Sequence, residues 1–334
     1  MAEIDVAALT EEFYSKPFYL SYSGLNKLLY SPSLFYNHYV LQQREEKLES
    51  YLIDGKVIHC LLLDNGSFDE QFILMPSKVP SGNTKVIVDK ILGIHIATQG
   101  LDVGLDAYKQ EILDALVAIN LHQSLKTDAQ RLDKIITDET NEYWNFLKIK
   151  GNKDLLDDET LARCNSAVEV LRKHEKVSEL LGLLTHEMEN VEIFNEELLF
   201  GETDKPFGLK GVLDNVKVDH DKKIIFINDL KTTGKTISDF RETIEFFNYW
   251  SQAAIYYRLV AYKFAELLTD EEWTMKFNFI VIDKYQQVYP FEVTKTTMQD
   301  WQVRLEQKLD EAAWHYTKRR YELPYEFAEG LVTL

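Results

Sequence analysis

Hydrophobic residues recur every three to four positions along most of the first half of the chain, the spacing of amphipathic helices. The stretch "YLSYSGLNKLLYSPSLFYNHYV" has serine caps and a break at Pro32, so it predicts a helix, a turn and a second helix. The stretch "SYLIDGKVIHCLLLDNGSFDEQFILMP" predicts a buried helix with His59, then a turn and a short strand. From about residue 85 to residue 184 the pattern is polar, periodic and rich in Leu and Ala, which predicts a helical insertion.

The pattern changes at Glu187, where alternation replaces helical spacing. The segments "EMENVEIF", "FGLKGVLDNVKVD" and "KKIIFINDLKTT" predict three adjacent antiparallel strands. A helical run, "FNYWSQAAIYYRLVAYKFAELL", precedes two strands within "WTMKFNFIVIDKYQQVYPFEVT" and a long helix from near Thr297. This order predicts an α/β fold with a mixed central sheet flanked by helices. We expect one domain over residues 1–334, with the helical insertion at about 85–184.

Composition narrows the class of protein. At 334 residues and 45% hydrophobic, the chain can bury a substantial core. Its first residues are acidic and lack the basic and apolar regions of a secretory signal, and no apolar run approaches the roughly 20 residues that cross a bilayer. We therefore expect a cytoplasmic protein without a membrane partner. Cys60 and Cys164 are the only cysteines, too few for the four ligands of an iron–sulfur cluster.

The formal charge of −18 first argues against a polyanionic partner, because nucleic-acid binders usually carry a basic surface. The charge is a sum over the whole chain, however, and carboxylates that bind divalent metal contribute to it. Local basic stretches such as "TKRRY" can still line a groove, although such a run is most often a solvated helix end and is not assigned to DNA here. The charge therefore does not exclude DNA.

Candidate chemistry lies at the end of the third predicted strand, "FINDLKTTGK". Residues two apart share one face of a strand, so Asp229 and Lys231 project together while Leu230 points to the opposite, buried side. The preceding strand folds back across a turn near His220, which brings Asp214 to the same end of the sheet. Two carboxylates and a free backbone carbonyl form a hard oxygen site suited to Mg²⁺ or Mn²⁺. A lysine beside that site can position or deprotonate an attacking water, which indicates phosphodiester hydrolysis.

The order of these residues resembles the PD-(D/E)XK nuclease superfamily. The matching positions are Asp214, then Asp229-Leu230-Lys231, then Gln252 and Tyr256 one helical turn apart. Within the superfamily, the resemblance is to the branch of RecE-like phage exonucleases and the RecB nuclease domain. Three further stretches resemble that branch: "LSYSGLNKLLYSPSLFYNHY", "GKVIHCLLLDNGSFDEQFILMP" with its histidine, and "YPFEV".

The resemblance implies a metal site and a catalytic lysine. His59, Asp214 and Asp229 would bind Mg²⁺ together with the Leu230 carbonyl, Mn²⁺ could replace Mg²⁺, and Lys231 would assist the attacking water. Each feature also has a simpler interpretation. An Asp-x-Lys alone is usually a solvated strand end, and His59 alone is consistent with a hydrogen-bonded core histidine. The combination in this order favours the nuclease.

The resemblance implies supporting roles elsewhere. Gln252 and Tyr256 lie at i and i+4 on one helical face, where they would support the site or contact the DNA backbone. On spacing alone they are equally consistent with ordinary helix surface and core. Glu192, on the strand before Asp214, is a secondary candidate that would join a second metal or hold the lysine, with a purely structural role as the alternative.

Three functions remain open. The first is a Mg²⁺-dependent, RecE-like DNA exonuclease that resects duplex ends in recombination and hands single strands to an annealing or recombinase partner. The second is another nuclease of the same fold, specific for single strands or acting as an endonuclease. The third is a catalytically silent module that binds DNA or recruits a partner, against which the intact Asp214, Asp229 and Lys231 argue. The resemblance further implies a ring-shaped homo-oligomer in a bacterial or phage-infected cell.

Overall fold

The computed structural model describes residues 5–43, 50–98, 102–184 and 190–328. The α-helices are, in chain order, α1 (Val6–Tyr14), α2 (Tyr22–Tyr30), α3 (Pro32–Phe35), α4 (Ser50–Leu63), α5 (Phe68–Gln71), α6 (Gly82–Ala97), α7 (Lys109–Ala118), α8 (Asp128–Leu132), α9 (Asp138–Lys150), α10 (Asp158–Lys173), α11 (Glu175–Leu181), α12 (Phe240–Phe246), α13 (Tyr249–Lys263), α14 (Lys295–Lys318) and α15 (Tyr325–Ala328). The strands are β1 (Tyr19–Leu20), β2 (Phe72–Leu74), β3 (Asp154–Leu156), β4 (Val191–Gly201), β5 (Gly208–Asp219), β6 (Ile224–Thr233), β7 (Thr274–Asp283) and β8 (Val288–Val293).

The chain divides into two compact units. One comprises Met1–Asn65 and Arg163–Leu334, and the other comprises Gly66–Ala162. The first unit contains the large sheet, and the second contains β2, β3 and helices α5 to α9. The insertion expected at about 85–184 thus falls partly in each unit. That boundary, and the expectation of one domain over residues 1–334, stay predictions.

The large sheet is mixed and has the order β1, β5, β6, β7, β8, with β4 on the other edge of β5. Strand β5 pairs antiparallel with β4 along nearly its whole length and antiparallel with β6 over its second half only. Strands β6 and β7 run parallel, β8 pairs antiparallel with β7, and β1 runs parallel to the start of β5. The predicted α/β fold with a mixed central sheet is therefore confirmed.

Hydrophobic packing joins the sheet to its helices. Val216 and Ile227 belong to a fully buried core that also contains Trp250 and Leu259 of α13 and Leu305 of α14. The residues on either side of them in the strands point to the opposite face, where α11 contacts β5 and β6. Burying these aliphatic and aromatic side chains is the main force that holds the sheet between its helices.

Local signals place the helices as the sequence predicts. Ser21 caps α2 by accepting a hydrogen bond from the Gly24 amide, and Ser31 caps α3, in which Pro32 occupies the first turn. The long C-terminal helix begins at Lys295 because the Thr294 side chain accepts from the Thr297 amide. Among the described helices, none combines the length and the apolar character that a membrane crossing needs.

One detail differs from the sequence prediction. Within the region expected to be helical, Asp154–Leu156 forms β3, which pairs in parallel with Phe72–Leu74. The helical repeat of the flanking segments hides a strand of three residues, because so short a run carries no periodicity of its own. The pattern change expected at Glu187 lies outside the described residues, and the strand is described from Val191.

The second unit has its own core. Ile87, Val88 and Ile91 of α6 pack with Ile112 and Leu116 of α7. Trp144 of α9 is fully buried in the same cluster, and its indole nitrogen donates to the Val103 carbonyl at 3.0 Å. This satisfied donor allows the largest side chain of the unit to be buried without a polar penalty.

Candidate active site

The candidate active site lies where two central strands separate. The β5–β6 ladder ends at the pair Asn215–Asn228, whereas β6 stays paired with β7 as far as Thr233. Beyond Asn215 the backbone of β5 no longer meets β6, and the Asp214 side chain takes the place of the ladder: its Oδ2 accepts from the Leu230 amide at 2.7 Å. The divergence leaves polar backbone and carboxylates beside one another at the centre of the sheet.

Three possible metal ligands converge at this split. His59 of α4, Glu196 of β4 and Asp214 of β5 each offer a donor atom, and these atoms lie within 4.8 Å of one another. His59 Nδ1 is 3.6 Å from Asp214 Oδ1 and 3.7 Å from Glu196 Oε1. The other ring nitrogen, Nε2, lies 3.0 Å from the Leu230 carbonyl oxygen. The structure therefore brings together three of the four metal ligands predicted from sequence, namely His59, Asp214 and Leu230.

The fourth predicted ligand, Asp229, is adjacent but paired with the predicted catalytic lysine. Asp229 is fully buried, and its Oδ2 lies 2.5 Å from Lys231 Nζ. The same ammonium lies 4.8 Å from the centre of the Tyr249 ring, a cation–π arrangement. Asp229 Oδ1 has no hydrogen-bond partner in the described parts of the chain.

Burial and neighbouring charge set the protonation states. Burial alone would lower the pKa of His59, but the carboxylates of Asp214 and Glu196 outweigh it and raise that pKa to about 9. Burial raises the pKa of Asp229 to about 6, although Lys231 opposes the shift. For Lys231, burial would lower the pKa, and Asp229 with Asp214 raises it instead. The lysine is therefore charged at neutral pH.

Gln252 and Tyr256 of α13 face the same region, as their spacing predicts. Gln252 Nε2 donates to the Tyr256 hydroxyl at 3.0 Å, and both side chains are buried. Burial raises the pKa of Tyr256, so the phenol is neutral. Glycine at position 211 of β5 lets the Tyr256 ring pack directly against the strand, because a Cβ there would lie only 2.6 Å from Cε1 of Tyr256. Gln252 Oε1 has no hydrogen-bond donor among the described residues.

A cavity of ≈ 580 Å³ opens beside these groups. Lys231, Gln252 and Tyr256 all line it, so the structure gathers three predicted catalytic residues around one space. The remaining lining residues are Ser21, Tyr22, Ser23, Leu198, Phe200, Lys210, Gly211, Val212 and Tyr249.

Glu196 is the residue that the sequence prediction missed. Glu192, the acidic residue named from sequence, lies opposite Val218 and is bonded to His220 Nε2 at 2.6 Å. Glu196 lies opposite Asp214 in the β4–β5 register, with a left-handed φ of 49° where the ladder is interrupted. In an antiparallel pair, residues equally far from the connecting turn lie opposite each other, which places Glu196 opposite Asp214. The predicted β4–β5 hairpin could therefore have identified Glu196 from the sequence.

Comparison with known proteins identifies a family. A family model described as the PD-(D/E)XK nuclease superfamily matches residues 103–323, a range that includes every candidate metal ligand and catalytic residue above except His59. Among curated proteins, none matches the sequence. A crystal structure described as that of a "Putative exonuclease" from Eubacterium rectale is similar over 100% of this chain and 95% of its own, at 10% identity and a TM-score of 0.49. This similarity in structure is too low to assign a function to the chain.

Proposed function

Because the chain belongs to the PD-(D/E)XK nuclease superfamily, we propose that it is a Mg²⁺-dependent exonuclease that resects the ends of linear duplex DNA by phosphodiester hydrolysis. The single observation that carries the proposal is the site at the β5–β6 split. There His59, Glu196 and Asp214 meet within 4.8 Å, next to the buried Asp229–Lys231 pair. Structural ion pairs rarely leave several buried carboxylate oxygens without donors, whereas a site for a cation requires them.

The residues present fit a divalent ion. Asp229 Oδ1 and Glu196 Oε1 are buried and accept no hydrogen bond from a described residue, and the nearest cationic group to Glu196 Oε1 is the His59 ring at 3.7 Å, so both oxygens can serve as ligands. Asp214, the Leu230 carbonyl and His59 complete a set dominated by oxygen, which suits Mg²⁺ and also Mn²⁺. A divalent ion held there supplies positive charge that neutralises the charge developing on the phosphate oxygens. Nucleases of this superfamily use divalent metal ions, and Mg²⁺ is our proposal for this chain.

Lys231 is the proposed catalytic residue. Asp229 and the Tyr249 ring hold its ammonium at the wall of the cavity, with the side chain mostly buried. Its raised pKa keeps it protonated, which favours orienting the attacking water and neutralising the phosphate over removing a proton. Gln252 Oε1, which has no donor, would accept a hydrogen bond from that water or from the substrate.

The cavity supports a nucleic-acid substrate in spite of the acidic chain. Lys210 lines it and has no ion-pair partner in the described residues, so its charge is available for a phosphate. Leu198, Phe200 and Val212 line it too and remain 54%, 48% and 44% exposed, which offers an apolar surface for nucleobases. The charge of Lys210 could bind a phosphate and the apolar side chains could contact bases, so the cavity beside Lys231 suits one strand of DNA.

We further propose that the nuclease acts as a ring-shaped homo-oligomer and passes single strands to an annealing or recombinase partner in a bacterial or phage-infected cell. The resemblance to RecE-like enzymes is the basis of this proposal. Enclosure would also keep a polyanion close to a chain of net charge −18. Light scattering at micromolar concentration tests the assembly, and a strict monomer contradicts it.

One digestion experiment tests the proposed activity. The protein is incubated with end-labelled linear duplex, covalently closed circular duplex and single-stranded DNA, with Mg²⁺ or with EDTA. We expect Mg²⁺-dependent loss of the linear duplex while the closed circle survives. Cleavage of the circle would indicate an endonuclease, and digestion of the single strand alone would indicate a single-strand-specific enzyme. No cleavage of any substrate would favour a silent DNA-binding module.

A further inference from the structure

A row of four asparagines crosses the sheet next to the candidate site. Asn195, Asn215, Asn228 and Asn278 occupy directly paired positions on β4, β5, β6 and β7. Three of the side-chain amide nitrogens donate to the side-chain oxygen of the next asparagine: Asn278 to Asn228 at 2.9 Å, Asn228 to Asn215 at 2.7 Å, and Asn215 to Asn195 at 2.8 Å. We call these four residues the asparagine row.

The asparagine row also bonds to the ends of two helices. Asn228 and Asn215 donate their second hydrogens to the Leu180 and Leu181 carbonyls at the end of α11. Asn195 donates to the Leu63 carbonyl, the last residue of α4, at 3.1 Å. The last four carbonyls of a helix have no partner within the helix, so these amides satisfy groups that would otherwise be costly to bury. These carbonyl acceptors also fix the direction in which the amides of Asn195, Asn215 and Asn228 point.

The row lies one residue away from the carboxylates of the site. Asn195 precedes Glu196, Asn215 follows Asp214, and Asn228 precedes Asp229 in sequence. The Leu63 carbonyl, where the row ends, lies one helical turn after His59 on α4. Three of the four asparagines are almost completely buried, with 0 to 2% exposure for Asn215, Asn228 and Asn278. Apolar side chains would fill a sheet interior at lower desolvation cost, so the amides require a geometric reason.

We propose that Asn195 is a positioning residue for the metal site: through the asparagine row it holds the end of α4, and hence His59, in register with Glu196 and Asp214. This inference rests on the proposed function, because it assigns to the row a role in metal binding. The Leu230 carbonyl, 3.0 Å from Nε2, and the two carboxylates orient the His59 ring, but none of these contacts fixes the backbone of α4 that carries it. The bond from Asn195 to the Leu63 carbonyl does fix the end of that helix. Groups that orient metal ligands without touching the metal are commonly worth 10- to 100-fold in metal affinity.

Mn²⁺ binding, measured by calorimetry and by electron paramagnetic resonance of the free ion, tests the inference without any assay of activity. Asn195 is exposed at the end of the row, so Asn195→Ala should fold normally. We expect it to weaken Mn²⁺ binding by roughly tenfold. Asn190→Gly is the matched control: it removes an exposed asparagine just before β4 whose side chain donates to Asp221 and not to α4, and glycine accepts the left-handed φ of 55° at that position. It should leave Mn²⁺ affinity unchanged.

A double-mutant cycle with His59 separates positioning from a general structural role. If Asn195 acts through His59, Asn195→Ala should have little further effect on Mn²⁺ affinity in a His59→Ala background. Additive losses, or equal affinity in wild type and Asn195→Ala, would overturn the inference while leaving the proposed function intact. Absence of Mn²⁺ binding by the wild-type chain would overturn both.

Discussion

Strands β5 and β6 have a paired half, residues 215–219 and 224–228, and a separated half that carries Asp214, Asp229 and Lys231, and the two halves contribute differently to the protein. From Asp219–Ile224 to Asn215–Asn228 the backbones are hydrogen-bonded, and Val216, Val218, Ile225 and Ile227 are buried in the hydrophobic core. Beyond that point the ladder stops, Asp214 of β5 accepts from the Leu230 amide of β6, and Asp229 and Lys231 of β6 form a buried ion pair beside it. The paired half stabilises the fold by burying apolar surface, and the separated half places charges where burial is costly.

The difference shows how a sheet can carry a candidate metal site at its centre. A continuous ladder would leave no backbone carbonyl free and no room for a carboxylate. Because β5 and β6 separate while each stays paired with its other neighbour, the Leu230 amide and carbonyl meet Asp214 and His59 instead of a strand, without loss of the sheet. The paired half therefore acts as a rigid support that holds the side chains of the separated half in place.

Loss of the buried carboxylate should have the largest effect. Asp229→Asn removes a charge that the separated half holds for a cation, so we expect it to abolish cleavage and weaken Mn²⁺ binding. Calorimetry with Mn²⁺ and digestion of labelled linear duplex measure the two effects. Unchanged Mn²⁺ affinity in this variant would remove Asp229 from the metal site.

The second largest effect on cleavage is expected for Lys231→Ala. The variant should fold and bind Mn²⁺ and DNA ends, yet lose a factor of roughly 10² or more in single-turnover rate, the usual effect of removing one group that stabilises charge in the transition state. Lys231→Arg should not restore the rate, because a guanidinium is broader than the ammonium held between Asp229 and Tyr249. DNA binding is measured in parallel in Ca²⁺. A wild-type rate in Lys231→Ala would refute the catalytic role.

Metal affinity should depend on pH through His59. With its pKa raised to about 9, His59 is protonated at neutral pH in the metal-free protein and must lose that proton to become a ligand. Affinity for Mn²⁺ should therefore increase as pH rises from 7 towards 9, by about tenfold per pH unit for one proton released. Calorimetry in buffers of different ionisation enthalpy counts the proton. His59→Gln should show no such release, and zero release by the wild type would exclude His59 as a ligand.

The smallest effect is expected in the paired half. Ile227→Val removes one methylene group from a fully buried position and should lower the free energy of unfolding by about 1 kcal/mol. Because the substitution lies in the paired half of β6, Mn²⁺ affinity should stay within experimental error of the wild type. Urea unfolding and calorimetry measure the two quantities. A large loss of metal affinity would show that the two halves are not separable.

The sequence by itself determined the five long strands β4 to β8, the main helices and most of the candidate site residues. Alternation located β4 to β8, the two-residue spacing placed Asp229 and Lys231 on one face, and the four-residue spacing joined Gln252 to Tyr256. These are local properties, because strand and helix periodicity depend only on residues close together in the chain. The family resemblance added His59, which lies outside the matched range of the family model.

Only the tertiary structure decided which residues meet. Strand register put Glu196, not Glu192, opposite Asp214, and it aligned four asparagines whose spacing in sequence shows no regularity. The separation of β5 from β6 also has no local signature, since both strands continue with ordinary strand residues. Register and strand divergence arise from the packing of distant segments, so no pattern within a single segment reports them.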